Sequence, residues 1–245
     1  LQKLTMAGGV ALNCTMNSKI IEQTPFREVF IQPAAWDGGT SLGAALYVWN
    51  HKLGNDRSLV IEHAYWGPGY DRAQIREALD SNIHEFVSRN CEITEMPEEQ
   101  KLCAFTADRI SQGDIVGWFQ GRTEYGPRAL GNRSILADPR RHDMRDILNV
   151  RVKMRETFRP FAPSILEEAA SDFFQIGSPS PFMLLTAQVR PEKRDVIPAV
   201  LHVDGSSRLQ TVSKRTNPRY WQLIDQFGKI TGVPLVLNTS FNENE

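Results

Sequence analysis

Apolar positions near the start of the chain switch between two periods. Leu1–Ala7 is a short apolar stretch closed by Gly8 and Gly9. Leu12, Met16 and Ile20 then recur at helical spacing, which predicts a helix within Val10–Gln23. Glu28–Gln32 is β-branched and aromatic and stops at Pro33. Ala34–Thr40 is a glycine-rich turn, and Ser41–Leu53 returns to helical spacing. This β-α-β-α order favours a layered α/β unit, too short to be a whole domain. Gly54-Asn55-Asp56 and Trp66-Gly67-Pro68-Gly69-Tyr70 read as turns, so residues 54–70 are expected to link two units.

The second unit is richer in strands. Asp71 is a candidate N-cap for a helix running to about Leu79, and His84–Thr94 reads as a strand. Pro97–Gln112 reads as a helix, with Pro97 in its first turn and Gly113 just past its end. Strands are expected at Asp114–Phe119, Arg133–Ala137, Phe161–Leu166, Phe182–Gln188, Gln210–Val212 and Pro234–Asn238. Helices are expected at Asp143–Arg151 and Pro218–Thr231, the latter stopped by Gly232. Strands dominate with helices interspersed, which gives a mixed-sheet α/β domain.

Composition narrows the partners. The 41% of hydrophobic residues can fill a core. Lys+Arg 28 against Asp+Glu 29 leaves a net charge of −1, so bulk charge does not coat nucleic acid or anionic membrane. No apolar run approaches the ~18 residues of a membrane span. Cys14, Cys91 and Cys103 form no CxxC pair, which favours reduced thiols and a cytoplasmic protein over zinc or a disulfide framework. The chain opens at Leu1 inside an apparent strand and stops at Glu245 soon after an Asn-Thr-Ser-Phe-Asn run. It reads as a piece of a longer protein.

Two glycine motifs in the first unit could carry chemistry. In Gly8-Gly9-Val10-Ala11-Leu12-Asn13 a strand runs through glycines into a helix, so backbone N–H groups can approach a ligand or simply make a tight turn. In Asp37-Gly38-Gly39-Thr40-Ser41 a carboxylate follows a strand, where it can hold a metal or cap a helix.

The strongest signal lies between Gly121 and Pro160. Ten basic residues, nine of them arginine, stand there against five acids. Arginine is the residue for planar, bidentate grip on phosphate or carboxylate. Gly121, Gly126 and Gly131 fall among these arginines, with Pro127 and Pro160 stiffening the turns. Such loops suit an anion pocket. A nucleic-acid groove is the alternative, with Tyr125, Phe158 and Phe161 as stacking platforms, but the balanced charge and dense glycines favour a small phosphorylated ligand. Arg208 beside the His202–Ser207 turn, and Asn238-Thr239-Ser240 at a strand end, fit the same pocket. No histidine shows metal-ligand spacing. His202 stands out by lying next to Asp204.

These motifs occur in one order across nearly the whole chain: Gly8–Asn13, Asp37–Ala45, Gly121–Ile135, Arg155–Pro163 and Asn238–Asn242. Together they resemble the O-carbamoyltransferase family of nodulation-factor and antibiotic-tailoring enzymes. The resemblance implies two α/β units. Residues 1–53 would be the C-terminal tail of an actin-like, sugar-kinase-like domain, followed by the linker at 54–70. Residues 71–245 would be most of a YrdC-like mixed-sheet domain, truncated at its C-terminus. It further implies that ATP, with Mg, and carbamoyl phosphate form carbamoyl adenylate and pyrophosphate in the YrdC-like domain. The actin-like domain, holding iron or a similar divalent metal, would pass the carbamoyl group to a hydroxyl-bearing small molecule.

By the same resemblance Arg128, Arg208 and Asn238 contact phosphate or adenylate, and Lys153, Arg159 and Ser240 are catalytic. Gly8, Gly9 and Asn13 match the nucleotide region of the actin-like domain, and Asp37 matches its metal aspartate. The family's paired metal-binding histidines would precede Leu1. A homodimer is a possible assembly, with no membrane or nucleic-acid partner expected. The rival from another class is a YrdC-like module that holds nucleotide or RNA without turnover.

Overall fold

The computed structural model describes residues 1–243. Strand β1 (Lys3–Met6) pairs in parallel with β2 (Glu28–Ile31), Lys3 opposite Glu28, across helix α1 (Cys14–Gln23). The helix expected over Val10–Gln23 is interrupted. Gly9–Leu12 is a 3-10 turn, and Asn13 then caps α1 by accepting from the Met16 N–H at 3.0 Å. The pattern over Ser41–Leu53 also splits, into α2 (Thr40–Leu46) and a π-helical turn at Tyr47–Lys52. The wider turn moves the apolar side chains around the axis, a change that spacing alone does not reveal.

Helix α3 (Arg72–Ser81) starts at the expected Asp71, whose carboxylate accepts from Gln74 N–H while the Gln74 side chain returns to Asp71 N–H. The strand expected at His84–Thr94 is a correction: Ile83–Ser88 is helix α4. Ile83, Phe86 and Val87 sit three and four apart, which is helical spacing in a segment too short for the pattern to dominate. Helix α5 (Glu99–Ser111) ends where Gly113 adopts φ +98°.

Seven strands make the main sheet: β3 (Val116–Phe119), β4 (Arg133–Ala137), β5 (Ala162–Leu166), β6 (Phe174–Gln175), β7 (Leu185–Val189), β8 (Ser206–Val212) and β9 (Leu235–Ser240). Helices α6 (Met144–Arg151), α7 (Ala170–Phe173) and α8 (Pro218–Thr231) are interspersed. The spatial order is β3-β4-β9-β5-β8-β7-β6. All neighbours are antiparallel except β5 and β8, so the sheet is mixed, as expected. Strand β6 has two residues, too few to show a period.

Register gives the sheet two unlike faces. Paired residues share a face and successive residues alternate. Ile135, Leu237, Ile165, Leu209 and Ala187 therefore share one face, and all belong to the main core. Helix α8 adds Tyr220, Leu223, Ile224 and Phe227 at helical spacing to that core. The other face carries Ser134, Ser240, Asn238, Ser164, Gln210 and Arg208. The first unit packs on the far side of this sheet. Buried Asn17 of α1 donates to Leu184 O at 3.0 Å, and Ser18 donates to Thr186 O of β7 at 2.8 Å. Among the described residues no helix is long and apolar enough to cross a membrane.

Candidate functional site

The polar face of the sheet is covered by the arginine-glycine loop, residues 121–133. A buried loop must satisfy its backbone groups with side chains. Here the carbonyls are met from the sheet and from the 54–70 segment: Asn238 Nδ2 donates to Ala129 O at 3.0 Å, and Gln210 Nε2 and the Tyr65 hydroxyl donate to Leu130 O at 2.9 Å each. The N–H groups are met from the loop itself. Leu130 and Asn132 both donate to Glu124 Oε1 at 2.8 Å, and Gly131 donates to Ser134 Oγ at 3.0 Å. Gly131 adopts φ +100°, with no room for a Cβ against the Tyr220 ring.

Beside this loop is a cavity of about 240 Å³ lined by Arg128, Arg155, Arg159 and Arg208 with Pro160, Phe161, Ala162, Asn238 and Thr239. It gathers four of the expected residues: Arg128, Arg159, Arg208 and Asn238. Arg155 was not expected there. Its Nε donates to Asn149 Oδ1 at 2.8 Å and its guanidinium lies over Phe161 at 4.9 Å. Asn149, fully buried on α6, also donates to Thr157 O and Arg159 O at 3.1 and 3.0 Å, and so shapes the whole 152–160 loop. Arg159 is paired with Glu156 at 3.0 Å.

Arg208 differs from its neighbours. It is half-buried, its Nε is buried with no partner, and no hydrogen bond or ion pair engages its guanidinium among the described residues. A guanidinium without an acceptor at a cavity wall is an anion site by its chemistry. Arg208→Ala is expected to weaken binding of a phosphate-bearing ligand by ~1.5–3 kcal/mol, the range for a charged hydrogen bond. Calorimetric titration checks this, and unchanged affinity would remove Arg208 from the site.

Four further arginines of the cluster are engaged by the chain itself. Arg122 donates to Gly67 O and Trp66 O at 2.9 and 2.7 Å, and Arg133 donates to Gln120 O and Gly121 O at 2.6 and 3.1 Å. They brace the loop and tie it to the segment at 64–68. Arg140 pairs with Asp138, and Arg141 with Asp143.

Asn238 lines the cavity, but its Nδ2 is taken up by Ala129 O, Ser164 Oγ and Gln210 Oε1, and its Oδ1 is buried. Its amide holds the loop to the sheet. Lys153 follows α6 and is fully buried. Its Nζ donates to Ser240 O and Oγ at 2.7 and 2.9 Å and to Asn242 O and Oδ1 at 2.9 and 2.8 Å. The neighbouring Met154 adopts φ 47°. Lys153 and Ser240 thus meet at the end of β9, next to the cavity-lining Thr239. Asn242, the last residue of the Asn238–Asn242 run, completes that cluster.

The glycine motifs lie apart from the cavity lining yet touch its loop. Arg128 Nη2 donates to Leu12 O at 3.2 Å, and the Tyr125 hydroxyl bonds Ser41 Oγ at 2.8 Å and Gly38 O. Gly8 turns at φ +98°, whereas a Cβ on Gly9 would meet open space. The Asn13 side chain serves as the α1 cap. Asp37 is exposed in a short 3-10 turn. Among the described residues no three His, Cys, Asp or Glu side chains gather as a metal site. Asp37 by itself does not make a set of ligands for a metal ion.

His202 is tied to a turn rather than to the cavity. Ser206 Oγ donates to Asp204 Oδ1 at 2.6 Å and lies 3.3 Å from His202 Nδ1. Burial holds the imidazole below its ordinary pKa of 6.5, opposed by Asp204 and aided by Arg208. A folded value below the unfolded one means stability is full above pH ~6.5 and is lost as pH falls through the folded value. The urea midpoint is expected to drop between pH 7.5 and 5.5, and less so in His202→Asn. An equal drop in both proteins would show that other groups cause it.

The family model described as Carbamoyltransferase C-terminus matches residues 107–245, and that described as Carbamoyltransferase N-terminus matches residues 1–46. Nodulation protein NolNO of Sinorhizobium fredii is 46% identical over 100% of this chain and 35% of its own length. Nodulation protein NolO of Bradyrhizobium diazoefficiens is 46% identical over 100% of the chain and 44% of its own. Nodulation protein U of Rhizobium tropici is 38% identical over 98% of the chain and 38% of its own. The chain therefore spans less than half the length of these relatives.

Proposed function

The chain belongs to the carbamoyltransferase family, and from that premise we propose that its arginine-lined cavity binds carbamoyl phosphate and the phosphates of Mg-ATP and joins the carbamoyl group to the nucleotide. Water first cleaves carbamoyl phosphate at its phosphoryl group, releasing inorganic phosphate and leaving carbamate. A carbamate oxygen then attacks the α-phosphorus of ATP, the bond to the β-phosphate oxygen breaks, and carbamoyl adenylate and pyrophosphate result. Two anions must approach, so the chain's task is to screen their repulsion and align them. The observation that carries this reading is Arg208, a guanidinium without an acceptor facing Arg128, Arg155 and Arg159 across one cavity.

On this proposal residues 71–245 are a YrdC-like domain and residues 1–53 the tail of an actin-like one, joined through 54–70. Lys153, Arg159 and Ser240 do the chemistry at the cavity edge, with Lys153 setting the end of β9. The carbamoyl group then passes, in the whole protein, to a hydroxyl of a small acceptor. Gly8, Gly9, Asn13 and Asp37 would belong to that second site, and the contacts of Tyr125 and Arg128 with the glycine motifs support its closeness to the first.

The nucleic-acid alternative is less favoured by the same contacts. Arg122, Arg133, Arg140 and Arg141 are committed to carbonyls and carboxylates, so they do not form the cationic stripe that tracks a phosphate backbone. Pyrophosphate release separates the two. Release that requires ATP and carbamoyl phosphate together supports the enzyme. Salt-sensitive RNA binding without release supports the module.

A further inference from the structure

Three backbone N–H groups of the arginine-glycine loop converge on one oxygen. Leu130 and Asn132 donate to Glu124 Oε1 at 2.8 Å and Arg133 at 3.3 Å. Such a nest of N–H groups holds an anion, and here the chain supplies its own. Glu124 is buried, and the bond to Leu130 closes a ring around residues 125–129, the stretch that carries Arg128. The carbonyls at its end are fixed by Asn238 and Gln210 of the sheet and by Tyr65. Glu124 holds the opposite side of the same backbone. Arg128 therefore reaches the cavity from a loop whose N–H groups at Leu130, Asn132 and Arg133 are held by one carboxylate, with Gly131 held by Ser134 Oγ.

We propose that Glu124 is a positioning residue for the anion site: it touches no ligand, and it sets the direction of Arg128. This rests on the reading of the cavity as a carbamoyl phosphate and ATP site. The geometry makes the position of Oε1 more important than the charge. Glu124→Gln keeps an acceptor oxygen at the same reach. Glu124→Asp keeps the charge but withdraws it by one methylene, out of range of three donors whose spacing is fixed.

The test is calorimetric titration of the full chain with carbamoyl phosphate and, separately, with ATP, at a temperature where each variant is shown to be folded. Glu124→Asp is expected to weaken binding about tenfold or more, and Glu124→Gln by less than about threefold. In an Arg128→Ala background the Glu124→Asp effect should vanish, because a residue acting through Arg128 has nothing left to position. A role in stability alone would lower the unfolding midpoint and leave affinity unchanged in both backgrounds. That result, or equal effects with and without Arg128, overturns the proposal. Should Glu124→Asp fail to fold, Glu124→Gln in the two backgrounds remains decisive: a loss above about threefold in either overturns the ordering of geometry over charge. Wild-type protein that binds neither compound overturns instead the underlying reading of the cavity.

Discussion

Lys153→Arg is expected to lower pyrophosphate release by ~10²-fold, the scale of misplacing reacting groups by about 1 Å, while ATP affinity changes far less. The ammonium is fully buried and meets four oxygen atoms of Ser240 and Asn242. Those acceptors surround a compact, tetrahedral donor. A guanidinium is planar and wider, and it presents its N–H groups in one plane. It keeps the charge and cannot reproduce this set of bonds. The end of β9 would shift, and with it Ser240 and the cavity-lining Thr239. Steady-state release measured at saturating ATP separates this from a binding defect. Wild-type turnover in Lys153→Arg would remove Lys153 from the mechanism.

Gly131→Ala is expected to destabilise the chain by about 2–5 kcal/mol. Two costs add. A left-handed residue other than glycine costs about 1–2 kcal/mol, and Gly131 sits at φ +100°. An extra methyl forced into a packed core costs about 1–3 kcal/mol, and the Cβ would run into the buried ring of Tyr220. The thermal midpoint should fall by roughly 5–20 °C for a chain of this size. Gly9→Ala is the control, since a methyl there meets nothing, and it should stay within about 0.5 kcal/mol. A loss under about 1 kcal/mol for Gly131→Ala would show that the loop can move away from α8.

Much of the architecture was legible because periodicity and stop signals agreed. Tyr220, Leu223, Ile224 and Phe227 mark one helix face, and Pro218 and Gly232 mark its ends. The misreadings share a cause. The segment 83–88 is a single short helix with little burial, so its spacing competes poorly with β-branched composition. The π-helical turn at Tyr47–Lys52 changes the residues per turn without changing their types.

The site was legible in residue type and not in direction. Nine arginines in one stretch suggest anion chemistry, yet Arg122 spends its donors on carbonyls of Trp66 and Gly67, and Arg133 on those of Gln120 and Gly121. Those partners become neighbours only when the sheet forms. Arg155 stood in the cluster undistinguished, because its place depends on Asn149, a polar residue that helical spacing would put anywhere on α6. Asn242 belonged to the Asn238–Asn242 run without a role of its own, since its partner Lys153 lies 89 positions earlier in the chain.

The central claim is that one cavity receives the phosphates. It is tested most directly by a crystal structure of the chain with carbamoyl phosphate and a non-hydrolysable ATP analogue. The account predicts phosphate oxygens within hydrogen-bond distance of Arg208 and at least one of Arg128, Arg155 and Arg159. Phosphates bound at the Gly8–Asn13 turn, with the arginine cavity holding only solvent, would contradict it.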